Sequence, residues 1–226
     1  MKKTVAIILA RGGSKRIPNK NIKNFHGKPI INYSIEAAKK SGCFEQIIVS
    51  TDSKKIAEIS KQAGAEVPFF RSKKNSSDEA TTSQALLEVL RVLNYQYKSF
   101  CCIYPTAPLI RFENLIEANK ILSNNEVDGV IPVSKFSYPV QRSLVKKDHL
   151  IKMKYKSWKD TRSQDLEAHY HDAGQFYFLD TQKFLQCKNL WSLNISPLFL
   201  PESEVQDIDY EIDWEIAEIK YKKMKY

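Results

Sequence analysis

The 226-residue chain lacks any apolar run approaching the ~20 residues that would span a bilayer as a helix. No secretory leader is expected: the basic start at Met1 is followed by an apolar segment that is short and ends at Arg11. Cysteine is scarce. Cys43, Cys101, Cys102 and Cys187 have no metal-ligand spacing, and the adjacent pair falls in an apolar run. A zinc module and a disulfide scaffold are therefore disfavoured, and the four are read as reduced core residues of a cytoplasmic protein. Internal repeats and low-complexity segments are absent. So are the two common glycine fingerprints, the Walker A ending Gly-Lys-Ser/Thr and the G-x-G-x-x-G dinucleotide loop.

What is present is an ordinary globular composition with an excess of positive charge. Apolar residues make up 42% of the chain, enough for a real core, and the length suits one domain spanning residues 1–226. Lys and Arg number 35 against 26 Asp and Glu, giving +9. Such a balance admits nucleic acid, an anionic membrane or a small polyanion as partner, or simply a lysine-rich solvated surface. Without RNP-like aromatics, helix-turn-helix cues or a zinc motif, an RNA-binding protein is the distant alternative. Neither nucleic acid nor membrane is expected as a partner.

Strand and helix patterns alternate along most of the chain. Lys3 to Ala10, Gln46 to Thr51, Glu66 to Phe70, "SFCCIY", "DGVIPVS" and "GQFYFLD" read as short buried strands. Helical patterns cover Pro29 to Gly42, the stretch from Asp52 or Ser53 to Gly64, Glu79 to Tyr95, Phe112 to Leu122, and a last helix from near Tyr210. This order predicts an α/β fold: a mostly parallel sheet with helices on both faces, in three layers. Residues 134–170 break the pattern. They are polar with alternating apolar positions, compatible with a hairpin turning near Lys147-Asp148, and are read as an inserted arm.

The chemistry concentrates after the first strand, in "ARGGSKRIPNKN" (10–21). Ligands of open α/β sheets sit at the carboxyl ends of strands. Gly12 and Gly13 permit close backbone approach and unusual dihedrals, and their N–H groups can face phosphate oxygens. Arg11 and Lys15 add positive charge there. Near the other end, "QDID" sets Asp207 and Asp209 two apart, on one side of an extended strand, a spacing suited to magnesium shared with phosphates. The competing reading is an acidic helix start that complements the helix dipole. Asp213 and Glu215 are read as helix surface, and Asp52 as a helix N-cap.

These residues carry a resemblance. "IILARGGSKRIPNKN" resembles the opening loop of sugar nucleotidyltransferases, above all the cytidylyltransferases of nonulosonic acids. "IIVSTDSKKIAEISKQAGAEVPFFR", "SSDEATTSQALLEVL", "YPTAPLIR" and "DIDYEIDW" follow in the family's order. "KFSYPVQR", "TRSQDLEAHYHDAGQFY" and "EVQDIDYEIDW" extend the likeness to the pseudaminic acid branch. The resemblance implies a Rossmann-like, GT-A-like nucleotidyltransferase fold and transfer of CMP from CTP to an acidic nine-carbon sugar, with Mg2+ as cofactor. Pseudaminic acid is the expected acceptor; N-acetylneuraminic, legionaminic and 3-deoxy-manno-octulosonic acids are the alternatives.

By the same resemblance Leu9, Ala10, Arg11, Gly12, Gly13, Ser14, Lys15, Lys20 and Asn21 hold the nucleotide's phosphate side. Arg71, Ala80 and Thr82 read its cytosine. Tyr104, Arg162, Gln164, Asp172 and Gln175 face the sugar. Arg11, Lys15 and Asp209 are the expected catalytic residues, with Asp207 and Asp209 on the metal. The arm is expected to pack across a homodimer. Tyr104 and Asp172 stand where sialic acid relatives usually carry glutamine and asparagine, which argues against N-acetylneuraminate.

Overall fold

The computed structural model describes residues 2–124 and 126–224. In chain order its strands are β1 (Lys2–Leu9), β2 (Asn24–Phe25), β3 (Lys28–Pro29), β4 (Gln46–Ser50), β5 (Tyr97–Ile103), β6 (Gly129–Lys135), β7 (Leu144–Lys147), β8 (Leu150–Met153), β9 (Tyr170–Asp172), β10 (Phe176–Asp180) and β11 (Ile195–Phe199). The helices are α1 (Ile31–Ser41), α2 (Lys54–Gln62), α3 (Lys73–Ser76), α4 (Thr82–Val92), α5 (Phe112–Asn124), α6 (Thr181–Cys187) and α7 (Glu211–Met224). Among these residues no helix is long and apolar enough to cross a membrane.

The main sheet has the order β11-β6-β10-β5-β1-β4. Pairing is parallel for β4 with β1, β1 with β5, and β6 with β11. Only β10 and β9 run the other way. The apolar runs of β1 and β5 are unbroken because both faces are covered. Ala6, Ile8, Cys101 and Ile103 pack towards α1 and α5, whereas Val5, Ile7, Phe100 and Cys102 pack towards α4 and α6. Cys101 and Cys102 are core residues as expected; Cys43 and Cys187 are only half-buried.

Local signals place most boundaries. Gly42, at φ 63°, closes α1 in the left-handed conformation that glycine adopts without penalty. Ser53 caps α2 by accepting from the Ile56 amide. Thr81 and Gln84 form a capping box on α4. The expected strand at Glu66–Phe70 is reduced to two isolated bridges, Ile48 with Glu66 and Thr51 with Phe70. Pro29 belongs to β3, so the first helix begins two residues later. β11 and α6 were not anticipated; Ile195–Phe199 alternates too weakly to stand out, with proline at its centre.

The arm emerges from the end of β6. Its β7–β8 hairpin turns at Asp148, whose φ is 56°. Gln141, buried at the arm's start, donates to the Glu167 carbonyl at 2.9 Å near its end. The chain then returns to the sheet as β9, which pairs with the end of β6.

A separate aromatic cluster ties the two chain ends together. Four rings surround Phe25 edge-on: His26 at 5.1 Å, Tyr33 at 5.4 Å, Trp214 at 5.4 Å and Tyr221 at 5.5 Å. Ile17 and Ile208 are buried in the same cluster. Lys23 adds an ion pair to Glu211 at 2.6 Å and lies 4.5 Å over the Trp214 ring. Phe25→Ala is expected to cost about 3–5 kcal/mol of stability, the usual range for emptying a core aromatic site. Urea unfolding would read it; a loss below about 1 kcal/mol would show that the cluster does not hold the ends.

Candidate active site

The ends of β1, β4 and β5 open onto one side of the molecule, and the loop after β1 lies there. Ala10 stays in the sheet, its amide donating to the Ser50 carbonyl at 3.0 Å. Beyond it the loop is pinned at three points. The Asp52 carboxylate accepts the Gly12 amide at 2.8 Å. Asn21, itself buried, donates to the Arg11 carbonyl at 2.8 Å. The Ser14 amide turns back to the Gly12 carbonyl at 3.1 Å. Asp52 is thus a brace for the loop and not the helix cap. Gly12 and Gly13 are not among the glycines at positive φ. A side chain at Gly12 would come within 3.1 Å of Ser53 Cβ, while at Gly13 it would meet nothing within 4 Å. Close packing at one and open approach at the other replace the expected unusual dihedrals.

The loop's cations are divided between two acids. Arg11 and Lys15 both pair with Asp78, at 2.7 and 2.5 Å. Arg16 and Lys20 both face Asp209, at 2.8 and 3.6 Å. Lys20 also donates to the Ile208 carbonyl. Ile208 is buried in the aromatic cluster, while the Asp207 and Asp209 on either side of it stay outside, Asp209 against Arg16 and Lys20. The Asp213 carboxylate fixes this stretch by accepting the Asp209 and Tyr210 amides at 2.9 and 2.8 Å. Asp213 is therefore a local clasp, not plain helix surface.

Three cavities meet at Tyr104. One, of about 210 Å³, is walled by Leu9, Arg11, Arg71, Asp78, Ala80, Thr82 and Tyr104, among others. A second, of about 230 Å³, contains Ser14, Lys15, Lys20 and Asn21 and shares Leu9, Arg11 and Tyr104 with the first. A third, of about 630 Å³, includes Thr82, Tyr104, Asp172, Tyr177 and Trp191. Arg71 is buried, with Nε on Ser50 Oγ at 2.9 Å and a second nitrogen on the Ser50 carbonyl. Burial lowers its proton affinity, and the nearby Asp52 charge partly offsets this.

Tyr104 and Tyr177 set their hydroxyls 3.2 Å apart, and Tyr177 donates to Asp172. Burial pushes the Tyr104 hydroxyl up to about 12 and Tyr177 further, so both remain donors at neutral pH. The other oxygen of Asp172 accepts the Gly174 amide at 2.8 Å. Gly174 adopts φ 63°, and its Cα side lies against Asp207. This kink separates β9, which pairs with β6, from β10, which pairs with both β6 and β5.

Not all expected sugar-side residues reach the site. Gln175 is buried, but its side chain donates to the Glu204 carbonyl at 2.5 Å, and its oxygen has no partner among the described residues. Arg162 and Gln164 are exposed on the arm, outside the residues forming these three cavities. Arg162 pairs with Asp165 at 3.3 Å. The arm carries both away from the sheet of their own chain. Conversely, Asp78 and Tyr177 belong to the site but were not singled out from sequence. Asp78 lies in a polar run before a helix, and Tyr177 in an apolar strand, where neither stands out.

The mostly parallel sheet and its basic strand-end loop define the nucleotidyltransferase class. A solved CMP:2-keto-3-deoxy-manno-octonic acid synthetase complexed with CTP superposes at a TM-score of 0.73, covering 99% of this chain and 100% of that one at 15% identity, a likeness of fold. A family model described as Cytidylyltransferase matches residues 5–224, and the chain belongs to this family. Pseudaminic acid cytidylyltransferase of Campylobacter jejuni subsp. jejuni serotype O:2 is 40% identical over 97% of both chains. CMP-N,N'-diacetyllegionaminic acid synthase of Legionella pneumophila is 34% identical over 95% of this chain and 94% of its own.

Asp207 is exposed, yet the protein packed around its carboxylate raises its pKa above the ordinary 3.8, and the Asp209 charge adds to the rise. A raised carboxylate pKa means the folded state binds the proton more tightly, so stability falls as pH rises from 3.8 through the folded value. Asp207→Asn should therefore raise the melting temperature of the free protein at pH 7 and leave it unchanged below pH ~3.5. An equal or lower melting temperature at pH 7 would contradict this account.

Proposed function

We propose that the protein transfers CMP from CTP to the anomeric hydroxyl of pseudaminic acid in the cytoplasm, releasing pyrophosphate. One observation carries the reading. The cavity of Arg71, Ala80 and Thr82, the cavity of the basic loop, and the cavity of Asp172 all share Tyr104. A nucleobase, a triphosphate and an acceptor sugar must likewise meet at one phosphorus atom. The 40% identity to a pseudaminic acid cytidylyltransferase, against 34% to a legionaminic acid synthase, supports the choice of sugar.

In this reading Arg71, Ala80 and Thr82 take the cytosine. Backbone groups and a hydroxyl distinguish it from uracil by donor and acceptor pattern. Leu9 and Ala10 carry the loop to the phosphates, where Gly12, Gly13 and Ser14 offer amides and Asn21 fixes the turn. Arg11, Lys15 and Lys20 stabilise charge on the leaving pyrophosphate. Asp172, held by Tyr177, reads the sugar beside Tyr104. The protein supplies position and charge and forms no covalent bond to the substrate.

Asp207 and Asp209 fit a divalent cation, magnesium. They are neighbouring carboxylates; the surrounding protein and then the Asp209 charge raise the proton affinity of Asp207, a cost that a cation would remove. When bound, the ion would neutralise phosphate charge and acidify the attacking hydroxyl. Asp209 must first give up Arg16, which frees that guanidinium for phosphate.

The exposed Leu144, Val145, Leu150 and Ile151 of the hairpin need a covering surface. A second copy meets that need and would receive Arg162 and Gln164 at its own sugar site. The expected solution mass at micromolar concentration is that of a dimer; a monomer would exclude this arrangement.

The first assay is pyrophosphate release from CTP and magnesium, with pseudaminic and N-acetylneuraminic acids offered separately. Release with pseudaminic acid alone is expected. Asp209→Ala should lower turnover by about two orders of magnitude or more, and Lys15→Ala should raise KM for CTP. Preference for N-acetylneuraminate would overturn the sugar assignment, and normal kinetics in both variants would overturn the site.

A further inference from the structure

Asp78 occupies a position that the reaction does not need filled by protein. It accepts from the Arg11 guanidinium at 2.7 Å and the Lys15 ammonium at 2.5 Å. These are the separations at which phosphate oxygens sit against such donors. The same carboxylate walls the cavity of Arg71, Ala80 and Thr82. One acid thus joins the glycine loop to the segment between α3 and α4.

That segment is anchored at both ends. Glu88 accepts the Ser72 amide at 2.9 Å and the Asn75 side-chain amide at 2.6 Å. On the other side Thr81 starts α4 with its capping box. Between them, the Ala80 amide bonds the Ser77 carbonyl at 3.3 Å and closes a short turn with Asp78 at its tip. Asp78 and Lys15 are both substantially exposed, at 50% and 80%. Exposed ion pairs of this kind contribute little to stability and exchange readily.

We propose that Asp78 is an internal mimic of phosphate: it holds Arg11 and Lys15 in the free protein, yields them to the nucleotide's β- and γ-phosphates, and competes with pyrophosphate for them after transfer. This rests on the reading of the loop as the triphosphate site. The same two cations bind the substrate's phosphates and the leaving pyrophosphate. A tethered competitor weakens both, trading affinity for faster clearance of product. The charge is already in place when the substrate arrives, because the loop's cations are held together instead of repelling one another apart.

The test is calorimetric titration of CTP and of inorganic pyrophosphate, each with magnesium, into the wild type, Asp78→Asn, Asp78→Ala, Glu79→Gln and Lys15→Ala. Glu79 is the neighbouring exposed carboxylate, and it is not paired with the loop among the described residues. Both Asp78 variants are expected to bind pyrophosphate and CTP roughly threefold to tenfold tighter, and to be inhibited by correspondingly less pyrophosphate during turnover. Glu79→Gln, which changes only the general field, should shift affinity by less than about twofold. Equal or weaker binding by the folded Asp78 variants, or an equal gain in Glu79→Gln, overturns the latch and leaves the triphosphate site standing. Failure of the wild type to bind CTP, or binding indifferent to Lys15→Ala, removes the triphosphate site and the latch with it.

Discussion

Four cations within ten residues, Arg11, Lys15, Arg16 and Lys20 spanning the loop and its exit, need counter-charge to be held together at a strand end. The structure answers with two acids from distant parts of the chain. Asp78 takes Arg11 and Lys15, and Asp209 takes Arg16 and Lys20. Much of the remaining architecture brings these acids to the loop. The capping box of α4 and the Glu88 anchor place Asp78. The aromatic cluster around Phe25, with Ile208 inside it, places Asp209.

The sheet supplies the platform. Parallel β1, β4 and β5 end on one side, and each delivers a part of the site within two residues of its end: Arg11, Asp52 and Tyr104. The single reversal, at β9 and β10, brings Asp172 to the same side from the opposite direction. Gly174 kinks this strand beside Asp207 with a left-handed backbone, between the part that pairs with β6 and the part that pairs with both β6 and β5. A fold with only parallel strands would have carried Asp172 to the other end of the sheet.

The spacing of Asp207 and Asp209 was legible because extended backbone has a period of two, and burying Ile208 fixes which way both acids point. The strand and helix sequence was legible for the same kind of reason: unbroken apolar runs require covered faces, and Gly42, Ser53 and Thr81 end or begin helices by local geometry. Glu66–Phe70 misled because a short edge segment is decided by its neighbour's hydrogen bonds and not by its own side chains.

The sequence by itself determined the alternating α/β order, the position of the basic loop after the first strand, the pairing of the late carboxylates and the family. These depend on local period, steric limits and contiguous motifs. Tertiary structure alone decided which acid neutralises which cation, that Asp52 braces Gly12, that Gln175 serves the Glu204 turn, and that Arg162 lies outside the cavities at Tyr104. Each depends on groups 29 to 193 residues apart, or on the direction in which the arm departs. No local pattern encodes such distances, because charge pairing follows proximity in space and the fold sets that proximity.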